Sequence, residues 1–455
     1  MVRHSNDAVT TAVLWVGAGL EYNIFIDRRC CMAEAVIIDG IRTPFARSGT
    51  VFKNIPAEEL GRIAVHELVE KTALDPKMVD EVIIGTVSQM VDTANVSRVI
   101  AQRAGLPARV PAYTVNRNCA SGLEAIGSAM EKIRSGLADI VIAGGVESMS
   151  NIPIFYYGKR LTEILVDASK AKTLGQKIAK FSAIRPRDLK PSIISQSDPL
   201  NGMRMGDTAE VLAKEFGISR DEQDAFSLMS HERAVSARSR LSEEIAPVYL
   251  SPRYETVVKN DAGPRENQKL EDLTRLKPVF DRRNGSVTAG NASPLTDGAA
   301  ALLIMNEEKA RAIGYKPLGR IRAYAYAGLD PARMGLGPSF ATPLALDRAG
   351  MKFSDIELTE MNEAFAAQIL ANEKAFGSKK FAQEELGRNE PIGGIDRSRF
   401  NVNGGAIALG HPLGASGARL MLTLLYELRR RNQSIGLVTL CVGGGQGAAY
   451  VVERR

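Results

Sequence analysis

Four polar side chains in this sequence stand where an open α/β fold does chemistry, and two of them are thiols. Cys119 lies in Asn116-Arg-Asn-Cys-Ala-Ser-Gly-Leu-Glu-Ala, directly ahead of a helical pattern over 121–135. A thiol there feels the positive end of the helix dipole, which lowers its pKa, and free N–H groups around it can hold an oxyanion. Read alone, a small buried residue at a tight turn is the favoured reading. His411, in Asn403-Gly-Gly-Ala-Ile-Ala-Leu-Gly-His-Pro-Leu-Gly-Ala-Ser-Gly, precedes a second helical stretch. A neutral imidazole at that place takes a proton from a thiol and later offers a hydrogen bond to a thioester oxygen; its alternative is a structural cap. Cys441 ends a β-branched run before Val-Gly-Gly-Gly, at the rim where ligands collect in such sheets, with a buried strand cysteine as the rival reading. Asn362, in Met-Asn-Glu-Ala-Phe, fixes a water or orients a base, or simply caps a turn. His66 and His231 fall within charged helical stretches and read as solvated.

The elements that must position these groups alternate in the βαβ manner, which implies a mostly parallel sheet. Val36-Ile37-Ile38 reads as a strand, 57–73 as a helix with Leu60, Ile63, Ala64 and Leu68 on one face, and Val82-Ile83-Ile84 as the returning strand. The 121–135 helix is followed by a strand over Asp139–Ala143 and by Gly144-Gly145. The same order recurs near the C-terminus: Ala415-Ser416-Gly417 opens a helix to about Arg431, then come the strand Gly436–Leu440 and Gly443-Gly444-Gly445. Two similar halves facing one another are expected, with the chemistry where their helix N-termini converge. Residues 150–290 lose this rhythm and read as an inserted lobe. Its segment Lys159–Lys190 carries nine Lys/Arg against three Asp/Glu, a surplus of six that equals the +6 of the whole chain.

Composition narrows the function classes. A chain of 455 residues with 45% apolar and 24% charged content has material for two or three domains. The positive charge admits nucleic acid, an anionic membrane or a polyanionic coenzyme. No zinc spacing, arginine-rich tail or aromatic-studded basic strand supports nucleic acid. Cys30, Cys31, Cys119 and Cys441 make neither a disulfide framework nor a metal site, so a reducing, cytoplasmic setting is expected. No run of about 18 apolar residues spans a membrane. Residues 10–20 have the look of a short signal core, but Asp7 precedes them and no small-x-small site follows. Met32 is the expected start of the functional protein, with 1–31 a non-core extension.

The ordered set Asn118-Cys-Ala-Ser-Gly, Ala289-Gly-Asn-Ala-Ser-Pro-Leu-Thr-Asp-Gly-Ala-Ala300, Asn362-Glu-Ala-Phe365, Gly410-His-Pro-Leu-Gly-Ala-Ser-Gly417 and Cys441-Val-Gly-Gly-Gly resembles the thiolase family over roughly residues 33–453. The resemblance implies an α/β thiolase fold, a layered αβαβα core of two halves. Its expected parts are an N-terminal half over 32–149 completed by 295–316, a loop domain over 150–294 and a C-terminal half over 317–455. It also implies that Cys119 is the acylated nucleophile, His411 its activator and Cys441 the acid/base for the second substrate. Asn362 would hold a water that completes one oxyanion hole with His411, and the N–H groups of Cys119 and Gly443 would form the other. Ser293 and Phe365, with Ala289, would bind the pantetheine arm. Coenzyme A and acyl-CoA are then substrates, no cofactor is tightly bound and no metal is needed.

Within the family, the basic segment 159–190 and Lys379–Arg399 most resemble the β subunits of fatty-acid oxidation complexes, which implies degradative 3-ketoacyl-CoA thiolysis. Those subunits commonly carry His where this chain has Asn362. A biosynthetic acetyl-CoA C-acetyltransferase is the alternative, and a ketoacyl synthase or an inactive lipid-binding or scaffold relative a remote one. The resemblance implies a homodimer or tetramer. Through 159–190 the lobe would meet a hydratase/dehydrogenase partner or a membrane surface.

Overall fold

Buried β-branched runs form the strands of one large sheet in the computed structural model, which describes residues 11–13, 23–25, 33–155, 158–189, 191–193 and 197–455. In the first half, β1 (Ala35–Arg42) leads to α1 (Ala57–Thr72), β2 (Glu81–Gly85), α2 (Val96–Arg103), β3 (Ala112–Val115), α3 (Ser121–Arg134) and β4 (Ile140–Ser148). An insertion follows with α4 (Lys159–Lys170), α5 (Leu174–Phe181), α6 (Met205–Glu215) and α7 (Arg220–Ser236), after which β5 (Thr296–Asn306) re-enters the sheet. The second half contains β6 (Gly319–Gly328), α8 (Gly337–Ala349), β7 (Leu358–Met361), α9 (Ala366–Gly377), α10 (Leu413–Arg431), β8 (Ile435–Val442) and β9 (Gln446–Arg454). The readings that concern residues 1–31 lie outside the described residues, apart from the antiparallel pair Thr11–Val13 and Asn23–Phe25.

The strand order is β7-β8-β9-β6-β1-β5-β4-β2-β3. In the first half β2 runs parallel to β3 and β4, while β5 is antiparallel to β4 and β1. In the second, β7 is parallel to β8, and β9 is antiparallel to β8 and β6. The counterpart of β3 is reduced to a single parallel bridge between Thr359 and Phe400. Gly319↔Ile37 and Arg320↔Val36 stitch the two half-sheets together, along β6 and β1.

Helix placement follows apolar patterning. α10 is buried from Gly414 to Leu428, as expected of a helix with protein on every side. It contacts β4 and β5 of one half, β7 and β8 of the other, and α3. α1 and α2 cover the outer face of the first half-sheet and α8 that of the second, giving helix, sheet, helix, sheet, helix layers with separate apolar clusters between them. The inserted lobe is fastened to β1 by buried charge: Arg42 Nε donates to Glu244 at 2.7 Å and its two Nη atoms to Asp261 at 2.7 and 2.8 Å.

The glycine reading requires a correction. β4 does not end at Gly144-Gly145 but continues through them to Ser148. A Cβ on Gly144 would lie 2.0 Å from the Ala300 carbonyl oxygen, and one on Gly145 1.9 Å from that of Gly414. Close approach by β5 and by the start of α10, rather than a turn, requires glycine here. Aligning Ser121 with Ser416 sets Gly144-Gly145 opposite Thr439-Leu440, so the glycine run after β8 is no second copy. There, Gly444 and Gly445 have φ of 85° and 72° and turn the chain from β8 into β9.

Candidate active site

Cys119 is presented by a locked turn. Asn118 adopts φ 45°, a left-handed conformation that asparagine tolerates. The Ser121 hydroxyl accepts from Arg117 N–H at 2.9 Å and donates to the Asn118 carbonyl at 2.6 Å. Asn118 Nδ2 reaches across to donate to the Gly443 carbonyl at 2.8 Å. The backbone N–H groups of Gly443 and Cys119 lie close enough to the Cys119 sulfur to favour its thiolate. These are the donors expected of one oxyanion hole.

His411 is buried and held at both ring nitrogens. Its Nδ1 lies 2.6 Å from Ser416 Oγ, and Oγ itself donates to the Pro412 carbonyl at 3.1 Å. Ser416 therefore accepts from Nδ1–H, which leaves the lone pair on Nε2. Asn362 Nδ2, at 3.4 Å, faces that lone pair as a donor. Asn362 is fully buried, its backbone N–H donates to Thr439 at 3.0 Å, and its Oδ1 has no protein partner.

The other expected residues fall nearby in varying degree. Cys441 is buried on β8 opposite Gly447, close enough to Cys119 to feel its charge. Ser293 N–H donates to the Ala364 carbonyl at 3.0 Å, and Pro294 accepts from His411 N–H at 3.3 Å, so this loop lies against the imidazole segment. Phe365 is buried, bridged to Ala292 and edge-on to Phe280 at 6.1 Å. Ala289 is exposed, upstream on the same loop.

Two expectations are corrected. Burial pushes the Cys119 thiol up to about 11 against the lowering effect of the two N–H donors, although the residue keeps some access to solvent. A helix N-terminus therefore does not make Cys119 a standing thiolate. His231 is not solvated: it is buried, accepts from Arg265 N–H at 3.3 Å, and burial pulls it down to about 4.

Burial, followed by the charge of Arg419, pulls His411 down to about 3. At rest Cys119 is thus a neutral thiol and His411 a neutral imidazole. Burial, then the neighbouring Cys119, pushes Cys441 far above an ordinary thiol. It therefore keeps its proton at neutral pH.

Sequence reading missed the parts that act through neighbours. Ser416 fixes the tautomer of His411, and its signal was the Ala-Ser-Gly triplet shared with Ser121. Asn118 clamps the glycine run, and an asparagine immediately before the cysteine is a fitting residue for φ above zero. Two buried carboxylates brace the loops. Glu147 accepts from the N–H groups of Val87, Ser88 and Gly414 at 3.0, 2.9 and 2.9 Å. Glu363 accepts from Ser230, Asn401 and Ile407 at 2.6, 2.9 and 3.2 Å.

Comparison with known proteins agrees with this arrangement. The thiolase N-terminal domain model matches residues 35–308 and the thiolase C-terminal domain model 315–454. A 3-ketoacyl-CoA thiolase of Yersinia pestis is 47% identical over 421 residues, covering 92% of this chain and 96% of that protein. The acetyl-CoA acetyltransferase of Bacillus anthracis superposes with a TM-score of 0.81 at 38% identity, covering 93% of this chain and 99% of that one. Human mitochondrial 3-ketoacyl-CoA thiolase in complex with CoA gives 0.79 at 34% identity, over 93% and 98%. The chain belongs to the thiolase family and is an acyltransferase.

Proposed function

We propose that this thiolase acts as a 3-ketoacyl-CoA thiolase through a Cys119 acyl-enzyme, the activity named for its relatives of 47% identity. As the sulfur attacks the 3-keto carbon, the Cys119 proton passes to His411 Nε2, while the N–H groups of Cys119 and Gly443 hold the oxygen that becomes anionic. The bond between the α and β carbons then breaks. The electron pair leaves as the enolate of acetyl-CoA, and Cys441 protonates its carbon. The enolate oxygen lies toward His411 and Asn362, whose Oδ1, buried without a protein partner, suits a bridging water. After acetyl-CoA departs, Cys441 takes the proton of incoming coenzyme A, whose sulfur attacks the acyl-enzyme and releases a shortened acyl-CoA. Ser293 and Phe365, with Ala289 at the rim, line the approach for the pantetheine arm.

The observation that carries this reading is that two backbone donors lie near the sulfur of Cys119 while the tautomer of His411 leaves its lone pair on Nε2. Incubation with acetyl-CoA should add one acetyl mass at Cys119, and 3-ketoacyl-CoA should disappear only when coenzyme A is present. Absence of the adduct refutes the covalent route. Comparing short, medium and long chains separates degradative thiolysis from an acetyl-CoA C-acetyltransferase confined to acetoacetyl-CoA. That alternative is kept open by the Bacillus anthracis neighbour and by Asn362.

We also infer a cytoplasmic homo-oligomer whose basic hairpin docks a hydratase/dehydrogenase subunit or a lipid surface. Leu161 and Ala168 are buried in the hairpin, but Leu165, Val166, Leu174, Ile178 and Phe181 are exposed beside Lys159, Arg160, Lys170 and Lys172. Replacing these four cations with Gln should weaken partner pull-down or vesicle binding. Unchanged binding to both removes the docking role.

A further inference from the structure

Two rungs join α10 and its approach to the end of β7. The first is His411 to Asn362, already placed in the reaction. The second lies deeper, where Arg419 Nη1 meets Glu360 at 3.2 Å with both side chains essentially sealed from solvent. Arg419 is one turn beyond Ser416, the residue that holds His411 Nδ1, and Glu360 lies just ahead of Asn362 on the chain. The pair is poorly satisfied. Arg419 Nε and Nη2 have no hydrogen-bond partner, although a guanidinium buried this deeply ordinarily finds several. A structural ion pair is expected to saturate its donors, whereas a single end-on contact leaves much of the cation's field free to act on its surroundings.

We propose that the buried Arg419–Glu360 pair is a positioning element for the reaction, an electrostatic lever that sets how readily His411 accepts the proton of Cys119. The inference rests on His411 being the base. When Glu360 is neutral, the Arg419 charge stands uncompensated and opposes an imidazolium nearby. When Glu360 is ionised, the two charges largely cancel and proton transfer from Cys119 becomes easier.

Other charges surround the lever. Glu244 from the inserted lobe, Glu363 beyond β7 and Glu427 on α10 all face Glu360. Arg233 on α7 feels Glu363 and Glu360. Glu244 is held by Arg42 at 2.7 Å, and Glu427 by Arg430 and Arg431 at 2.8 and 2.7 Å. Glu363 is satisfied by neutral donors, and burial pushes its carboxyl up. Burial, against the attraction of Arg419, pushes Glu360 up to about 8.

The test is the rate at which iodoacetamide alkylates Cys119 in the full-length protein, followed by peptide mass from pH 6 to pH 10 in wild type, Arg419→Met, Glu360→Gln and His411→Ala. Below pH 8, wild type should match Glu360→Gln, and Arg419→Met should react roughly three- to tenfold faster, the size expected of one partly screened buried charge. Above pH 8, wild type should rise to meet Arg419→Met, while Glu360→Gln lags by the same factor. Loss of packing cannot produce a convergence that switches partner with pH. Glu360→Gln preserves shape and keeps the test decisive if Arg419→Met is unstable. A wild-type profile parallel to that of Glu360→Gln at every pH overturns the proposal. His411→Ala should be slow throughout. An unchanged rate there overturns the assignment of His411 as base and the lever with it, whereas a slow His411→Ala beside unshifted profiles overturns the lever alone.

Discussion

The turn before α3 and the turn before α10 are built on the same Ala-Ser-Gly triplet in two halves of matching topology, yet each serine does different work. Ser121 ties backbone to backbone, from Arg117 N–H to the Asn118 carbonyl, and so presents Cys119. Ser416 ties backbone to side chain, from the Pro412 carbonyl to His411 Nδ1, and so orients a base. With the serines aligned, Cys119 corresponds to Gly414, Asn116 to His411 and Val146 to Cys441. Neither half holds a complete set of parts. The proposed nucleophile belongs to one and both groups assigned to proton transfer belong to the other, so the two similar halves divide the labour across a helix pair that meets at glycine. A Cβ on Gly122 would sit 2.8 Å from Ala418 N, and one on Gly417 2.9 Å from Leu123 N.

Breaking this division at its centre gives the largest effect. Cys119→Ala removes the atom that becomes acylated, so turnover should fall by about 10⁴ or more and no acyl mass should appear. Cys441→Ala should still take an acetyl group from acetyl-CoA, because no enolate needs a proton in that half-reaction. Its overall thiolysis and condensation should fall by roughly 10²–10⁴. A Cys441→Ala enzyme with normal turnover would return both roles to one half.

The serines separate the two turns more finely. Ser416→Ala should lower kcat about tenfold by freeing the imidazole, with KM little changed. Ser121→Ala should act chiefly on stability, by about 1–3 kcal/mol in chemical unfolding, because two backbone groups lose their partner. Equal kcat losses in the two variants would show that the turns are interchangeable supports. Gly145→Ala forces a methyl against the Gly414 carbonyl and should destabilise by about 1–3 kcal/mol or more, read as a lowered Tm. The smallest effect belongs outside both halves: a chain beginning at Met32 should keep full turnover, and a large loss would give residues 1–31 a part in the fold.

Much of this was legible in the sequence because it is local. Strand and helix periods, the two triplets ahead of their helices, and the motif residues Cys119, Asn362, His411 and Cys441 are all visible along the chain. What escaped depends on contacts between distant segments. Gly144-Gly145 read as punctuation because the backbones that crowd it, at Ala300 and Gly414, are far away in sequence. The thiol of Cys119 was expected low from its helix terminus, but desolvation by burial acts more strongly. Arg419 looks like any basic residue on a long helix until Glu360 is placed beside it.

The position of β5 has a consequence for how the chain is made. This strand lies between β1 and β4, yet it is synthesised only after the whole inserted lobe. At roughly 5–20 residues per second, a ribosome needs on the order of 8–30 s to travel from the end of β4 to the end of β5. Throughout that interval β1 and β4 each present an unpaired edge of β-branched backbone, the kind of surface that recruits other chains. The nascent first half is therefore the aggregation-prone stage of biogenesis, and the stage at which a chaperone has the most to shield.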